Sequence, residues 1–414
     1  MLRLLAVLII LLVIPLLWTD YWLLGLAVII VVLTFLFNRF WLWRAASTTR
    51  LLREGPEQAF QGDTIELEVT IHNGGRLPLL WLQVEDYVPS NLKPTPRPEW
   101  LVTVRSREKV RLSYKIECQR RGRYNLGPVE GKVGGLFDTS REPLGDSRRW
   151  QARTRLLVYP KIVPLEQLFL PSRLPFGNLR TRQPLLPDPS RMAGLREYQP
   201  GDDPRYINWR STAHLSQLMV KQFERTRFVP LAIFLDMRPP GMQYTWRALA
   251  ETSVVVAASL ANRANELKQP FGLYSNGYDP GWEHSPWDEK LPPEFGRPEM
   301  LPHSGDTWLY EVLDKLAGIE VRQDAPGLDQ LAGKWSSSLP WGATIALVGF
   351  EPYPELVTEI NRLRRAGFAL IAIFTAAGKH SEDGIDAIGA LRGMGVQVHD
   401  LVNASELNVV RAKG

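Results

Sequence analysis

Acids, arginines and aromatics crowd into one short stretch of this chain. Arg196 to His214 reads Arg-Glu-Tyr-Gln-Pro-Gly-Asp-Asp-Pro-Arg-Tyr-Ile-Asn-Trp-Arg-Ser-Thr-Ala-His. Two neighbouring carboxylates, Asp202 and Asp203, invite an acid–base reading. Adjacent side chains diverge in any regular backbone, however, so they do not form the facing pair that glycoside hydrolysis needs. The six histidines, at 72, 214, 284, 303, 380 and 399, show no metal-ligand spacing, and the single cysteine, Cys118, leaves no thiolate pair to join them. Ala376-Ala377-Gly378-Lys379 hints at a phosphate loop, but Ile373 stands where the earlier glycine belongs and His380 where a serine or threonine is needed. No Gly-x-Ser-x-Gly elbow occurs. These pieces assemble no enzyme mechanism and call for no cofactor or small-molecule substrate.

The stretch has a definite expected shape. Pro200-Gly201 is a turn signal, because Pro fixes φ and Gly accepts the positive φ that follows. Asp203 sits where a helix N-cap belongs, with Pro204 at the first helical position, and Asp202 adds negative charge near the positive end of the helix dipole. Tyr206, Ile207 and Ala213 share an apolar face at helical spacing, Trp209 on its flank anchors the helix in a core, and Arg205 lies nearer solvent. Caps and salt bridges account for every charged residue here. Turns and helix starts are also common binding elements. In that second reading the docking groups are Arg196, Tyr198, Asp202, Asp203, Arg205, Asn208, Trp209 and Arg210, with Glu197, Pro200 and Gly201 completing the motif.

Arg196 to Trp209 closely resembles the signature of the domain-of-unknown-function 58 family, approximately Arg-Glu-Tyr-x-Pro-Gly-Asp-Asp-x-Arg-x-Ile-(Asp/Asn)-Trp. His214 stands where many members of that family have Arg. The resemblance implies a von Willebrand factor A-like fold for the region that carries the signature. It also implies pairing with a MoxR-type AAA+ ATPase, in which such proteins act in assembling or remodelling client complexes. Metal-binding von Willebrand A domains use Asp-x-Ser-x-Ser after the first strand, oxygen donors that suit a hard ion. Here the residues read Asp236-Met237-Arg238-Pro239-Pro240. Asp236 is kept, while Arg238 and Pro240 replace the serines, and Leu347-Val348-Gly349-Phe350 after a later strand supplies no carboxylate until Glu351. The site reads as degenerate and metal-free, with Arg238 expected to pair with Asp236.

The elements that position these residues follow from composition and periodicity. At 414 residues, two or three domains are expected, and 49 basic against 44 acidic residues is too even for a dedicated nucleic-acid binder. One cysteine excludes an intramolecular disulfide and fits a reducing compartment. Leu2 to Trp18 and Tyr21 to Phe37 are two nearly unbroken apolar runs joined by Thr19-Asp20, which predicts a transmembrane helical hairpin over 1–45. No small-x-small cleavage site follows the first run, which argues against a signal peptide. Arg3 flanks one end and Arg39, Arg44, Arg50 and Arg53 the other, while the connecting turn has no basic residue. The positive-inside rule therefore places both termini and the folded domains in the cytoplasm, and those arginines can also touch anionic lipid headgroups.

Over 51–160 the period is two, as in Thr64 to Ile71 and Val110 to Ile116, with Asn73-Gly74-Gly75, Arg121-Gly122 and Gly127-Pro128 as turns. An all-β immunoglobulin-like sandwich is expected, with Cys118 on its inward face. Residues 161–192 form a proline-rich linker. In 193–414, apolar runs at Val229 to Leu235, Phe271 to Tyr274, Ala343 to Gly349, Phe368 to Phe374 and Val396 to His399 alternate with helical patterns. Those helices are expected over Tyr244 to Leu267, Asp306 to Ala317, Glu355 to Ala366 and Asp386 to Met394, which predicts an α/β domain with a mostly parallel sheet. Between them, Trp282, His284, Trp287 and Phe295 either form a partner surface or, the favoured reading, pack as an Ω-loop. Together these features describe a membrane-anchored, non-enzymatic adaptor. The competing readings are a cell-envelope hydrolase and a metal-dependent ligand-binding domain.

Overall fold

An apolar helix, α1 (Trp22–Thr48), leads into the folded part of the chain. The computed structural model describes residues 22–134, 141–144, 154–165, 192–200, 202–223, 229–238, 246–281, 299–376 and 380–401. The expected first helix, Leu2 to Trp18, and its connecting turn lie outside these residues. By length and composition α1 can cross a membrane. Its last turns do something else as well. Asn38, Leu42, Ala45 and Ala46 are buried at i, i+4, i+7 and i+8, one stripe of a helix, and the small alanines allow close approach to the β-rich region that follows. Trp41 Nε1 donates to the Pro78 carbonyl at 3.1 Å.

That region contains β1 (Thr49–Glu54), β2 (Gln58–Phe60), β3 (Thr64–Asn73), β4 (Leu79–Asp86), β5 (Lys93–Thr95), β6 (Glu99–Val104), β7 (Lys109–Glu117), β8 (Gly122–Leu126), β9 (Val129–Gly134), β10 (Arg141–Pro143) and β11 (Thr154–Tyr159). Two antiparallel sheets, β1-β3-β7-β5 and β10-β9-β4-β6, share one core, and a third, β2-β11-β8, adjoins them. The alternation in β3 drives this arrangement: Ile65, Leu67, Val69 and Ile71 point inward, and Leu67 stands opposite Tyr114 of β7. Cys118 lies buried in the same core, and burial, reinforced by the Asp63 charge, pushes its thiol up to about 11. Arg53 is not a headgroup contact, contrary to expectation. Its side chain is fully buried and pairs with Asp86, which also accepts from the Tyr114 hydroxyl at 2.6 Å. The period-two pattern turns Arg53 inward, and a carboxylate meets it there.

The second compact unit begins at Ile162. The first residues of the expected linker are packed, not free: Val163 and Leu165 are buried, and Val163 N donates to Ser259 Oγ at 2.9 Å. Most of the proline-rich segment and the four aromatic-loop residues Trp282, His284, Trp287 and Phe295 lie outside the described residues. Strands β12 (Met192–Glu197) and β13 (Met219–Phe223) form an antiparallel hairpin that encloses a 3-10 turn, Pro204–Tyr206, and helix α2 (Trp209–Leu215). Beyond it the elements are β14 (Leu231–Leu235), α3 (Trp246–Glu266), β15 (Phe271–Ser275), β16 (Glu299–His303), α4 (Asp306–Gly318), α5 (Leu328–Ser336), β17 (Thr344–Gly349), α6 (Pro354–Arg365), β18 (Ala369–Phe374), α7 (Glu382–Gly393) and β19 (Gln397–Asp400).

The sheet order is β16-β15-β14-β17-β18-β19, parallel throughout except for the antiparallel edge strand β16. Central strands β14, β15 and β17 are buried at every residue, the pattern of parallel strands covered on both faces. Strand β16 and helix α5 were not expected from the periodicity. The chain winds outward from β14 to β16 on one side and from β17 to β19 on the other, so the topological switch point lies between β14 and β17, where crevices form in open α/β sheets.

Candidate functional site

The signature is built as a turn and two short helical pieces held across a hairpin. Arg196 grips Asp202 with both guanidinium nitrogens, at 2.7 and 2.6 Å, and Asp202 also accepts from Gln199 N at 2.9 Å. The hydrogen bond from Arg196, followed by that from Gln199, holds the Asp202 carboxyl below its ordinary range. Tyr198 N donates to Leu218 O and Asn208 N to Met219 O, both at 2.8 Å, which ties the loop to the base of β13. Asp203 does cap, accepting from Arg205 N at 3.0 Å, with Pro204 at the first position.

What it caps is only a 3-10 turn. Ile207 is extended and bridges to Val220, so the helix stops and restarts under a second cap, Asn208, whose Oδ1 accepts from Ser211 N at 3.3 Å. This break corrects the expected single helix. It also resets the helical phase, so Tyr206, Ile207 and Ala213 share no continuous face. Trp209 is not a core anchor: it is 67% exposed, and Leu215 and Leu218 are exposed beside it. Neither helical piece contains a buried residue. Arg205, Arg210, Glu197 and Pro200 also lie on the surface, Tyr198 is half-buried, and Gly201 is outside the described residues.

Asp236 ends β14 at the carboxyl edge of the sheet and is 5% exposed. Its Oδ1 accepts from Asn276 Nδ2 at 2.7 Å and from the Arg238 backbone N–H at 2.9 Å. Burial nevertheless pushes its carboxyl above the ordinary range, outweighing those hydrogen bonds. The expected Arg238–Asp236 side-chain pair does not form. The chain turns so that the Arg238 amide, not its guanidinium, faces the carboxylate, and the guanidinium lies over the Tyr353 ring at 5.1 Å. Tyr353 in turn donates to Asp329 Oδ1 at 2.7 Å and accepts from Asp329 N at 3.2 Å.

Glu351 is occupied elsewhere. It accepts from Ser381 N at 2.6 Å and from the Ser381 hydroxyl, the cap of α7, and a Cβ on Gly384 would sit 2.2 Å from its Oε1. These residues do not fit a divalent cation: one Asp236 oxygen is taken by two donors, a cationic side chain replaces a hydroxyl ligand, and Glu351 serves a helix end. Pro240 lies outside the described residues, among which no group of three or more His, Cys, Asp or Glu is placed to hold a metal. The sequence reading missed Asn276, Asp329 and Tyr353. Asn276, directly after a strand end at the switch-point edge, carries a signal that could have been followed; Asp329 sits at the start of the unexpected helix α5.

Residues 194–283 match the model of the family described as Protein of unknown function DUF58, a span that holds the whole signature and supports that family for this region. The chain is 25% identical over 187 residues to the Uncharacterized protein YeaD of Bacillus subtilis (strain 168), covering 43% of this chain and 45% of that protein. It therefore spans less than half the length of this relative. Among solved structures, the CARDB domain of the PF1109 protein from Pyrococcus furiosus, in complex with di-metal ions, is similar at 18% identity and a TM-score of 0.20, over 27% of this chain and 91% of that one. Native alpha-2-macroglobulin from Escherichia coli, from domain MG7 to the C-terminus, is similar at 16% identity and a TM-score of 0.22, over 31% of this chain and 21% of that one.

Proposed function

We propose that this chain is a membrane-anchored, non-enzymatic adaptor that works with a MoxR-type AAA+ ATPase in assembling or remodelling protein complexes. In this reading two membrane helices over 1–45 hold an immunoglobulin-like sandwich and a von Willebrand factor A-like domain on the cytoplasmic side. One observation carries the proposal: the signature turns its side chains outward. Its helical pieces bury nothing, and Trp209 stands two-thirds exposed between the surface arginines 205 and 210. A tryptophan and arginines grouped on a surface have the composition of a protein-binding hot spot. The Arg196–Asp202 clamp and the two caps make that surface rigid before a partner arrives, which lowers the ordering cost of binding.

The test is recovery of the ATPase with the intact protein purified from membranes. Arg205→Glu with Arg210→Glu, and separately Trp209→Ala, should each lower recovery several-fold while the circular dichroism spectrum stays unchanged. Undiminished recovery in both variants would sink the assignment of this surface. A reporter fused to the C-terminus addresses the orientation independently, since a periplasmic signal would revive the cell-envelope alternative.

A further inference from the structure

Helix α1 is built into the β-rich unit rather than tethered to it. Besides the buried stripe from Asn38 to Ala46 and the Trp41–Pro78 hydrogen bond, Gly74 N donates to Thr48 O at 3.0 Å, and β1 starts at Thr49 with no linker. The unit therefore has a near end and a far end along the helix. Strand β1 leaves the helix where Thr49 faces Asn73 and runs outward to Glu54, facing Glu68, while β4 starts near Pro78 and ends at Asp86. The turn between β6 and β7 joins the near end: Asn73 Nδ2 donates to Arg105 O at 3.0 Å, and Arg107 N and Ser106 Oγ donate to Gly75 O, each at 3.2 Å.

Exposed basic residues cluster at the near end. The near end exposes Arg76, Arg105, Arg107 and Lys109, and the one acid in that turn, Glu108, is engaged by the Arg105 backbone N–H at 2.6 Å. The far end mixes signs: a pocket of about 460 Å³ there is lined by Glu85, Glu130 and Arg97, Asp86 is neutralised by Arg53, and Lys93 and Lys115 are exposed nearby. The helix sets the level of the bilayer. Residues 22–37 span ~24 Å at 1.5 Å per residue, so a hydrocarbon core of ~30 Å extends to about Phe40. Phe40 and Trp43, 58% and 62% exposed on the face turned away from the β-rich unit, then lie at headgroup level, where aromatic side chains concentrate.

We propose that the near end of the β-rich unit rests on an anionic lipid surface, with Arg76, Arg105, Arg107 and Lys109 in the headgroup layer. The unit then stands directly on the bilayer instead of swinging from it. The proposal rests on the membrane-anchor reading of α1, and it follows from the fused helix and the exposed basic residues of the near end together. The test uses the full chain with Cys118→Ala, so that a single introduced thiol can carry a fluorophore, at Ser106→Cys on the near end or Tyr87→Cys just past the far end of β4. Reconstitution is into vesicles of phosphatidylcholine alone or with a large fraction of phosphatidylglycerol, and alkaline carbonate extraction scores integration.

In the anionic vesicles, headgroup-attached quenchers should quench the 106 label several-fold more than the 87 label. Loss of the anionic lipid, or Arg76→Glu with Arg105→Glu and Lys109→Glu, should reduce the difference several-fold without increasing extraction. Equal quenching at the two sites in protein that resists extraction overturns the docking and leaves the anchor standing. So does quenching that ignores lipid charge. Release of the protein by carbonate overturns the anchor reading and this proposal with it. Displacement of the near end from anionic vesicles by a stoichiometric oligonucleotide would assign the surface to nucleic acid and equally overturn it.

Discussion

Single side chains carry the firmest chemistry in this molecule, and two buried acids show it. Asp236 has two hydrogen bonds and no ion pair, so burial dominates and its carboxyl is raised above the reference value of 3.8. A carboxyl raised on folding favours the folded state below its unfolded pKa, and that contribution is lost as pH rises through the folded value. Asp236→Asn removes the dependence while keeping an acceptor at the Oδ1 position. Urea melts should therefore show the variant gaining on the parent as pH rises above the reference value of 3.8. A pH-independent difference contradicts this account, and stabilisation of the parent alone by Mg²⁺ would mean that the carboxylate does hold a cation. Burial raises the Asp86 carboxyl as well, against the lowering by Arg53, its ion-pair partner, and both side chains are fully buried. Arg53→Met should cost about 3–5 kcal/mol by leaving that acid unpaired, and adding Asp86→Leu should recover part of the loss in the same melts.

Elements explain why the signature is stiff yet exposed. Asp203 and Asn208 are both good caps, and a helix could begin at either. The bridge from Ile207 to Val220 decides that it begins at both, with a break between. Asn208→Ala should thus destabilise the α2 region by about 1 kcal/mol, because the Ser211 N–H loses its acceptor. Trp209→Ala should change stability by less than about 0.5 kcal/mol, as surface substitutions do. Hydrogen exchange across residues 208–215 separates the two, and strong deprotection on removing Trp209 would mean that it packs after all. The carboxyl edge obeys similar logic: Gly384 lets Glu351 reach the α7 N-terminus, where a negative charge is favourable.

For the whole molecule, the junction between anchor and first domain matters most. A helix read as membrane-spanning contributes Leu42, Ala45 and Ala46 to the core of a water-facing β unit. Leu42→Ala should accordingly cost that unit about 2–5 kcal/mol, the range for truncating a buried leucine. Proteolysis of residues 49–134 in the detergent-solubilised protein would report it, whereas an unchanged cleavage rate would show that the helix end is only laid against the domain. The same fusion passes any tilt of α1 to the β unit, which is why the basic near end is expected to take a fixed level at the bilayer.

The sequence alone determined whatever depends on short-range order. Period two in Thr64 to Ile71 gave a strand with one buried face, and apolar runs separated by helical spacing gave a mostly parallel sheet with Asp236 at a strand end. Asp203 and Pro204 marked a cap, and the serines missing after Asp236 marked an edge unsuited to a cation. Tertiary structure decided what depends on partners distant in the chain. Strands β12 and β13 pair across residues 198–218, and neither carries a strong alternation of its own. Arg53 meets an acid 33 residues away and leaves the lipid-facing set. Arg238 turns its amide, not its guanidinium, to Asp236 because Asn276 and Tyr353, from other strand ends, occupy the space on either side. Trp209, read locally as a core anchor, is exposed because a bridge to Val220 ends one helix before another begins. Periodicity shows which face of an element is apolar, but only the packed molecule shows which side chains meet there.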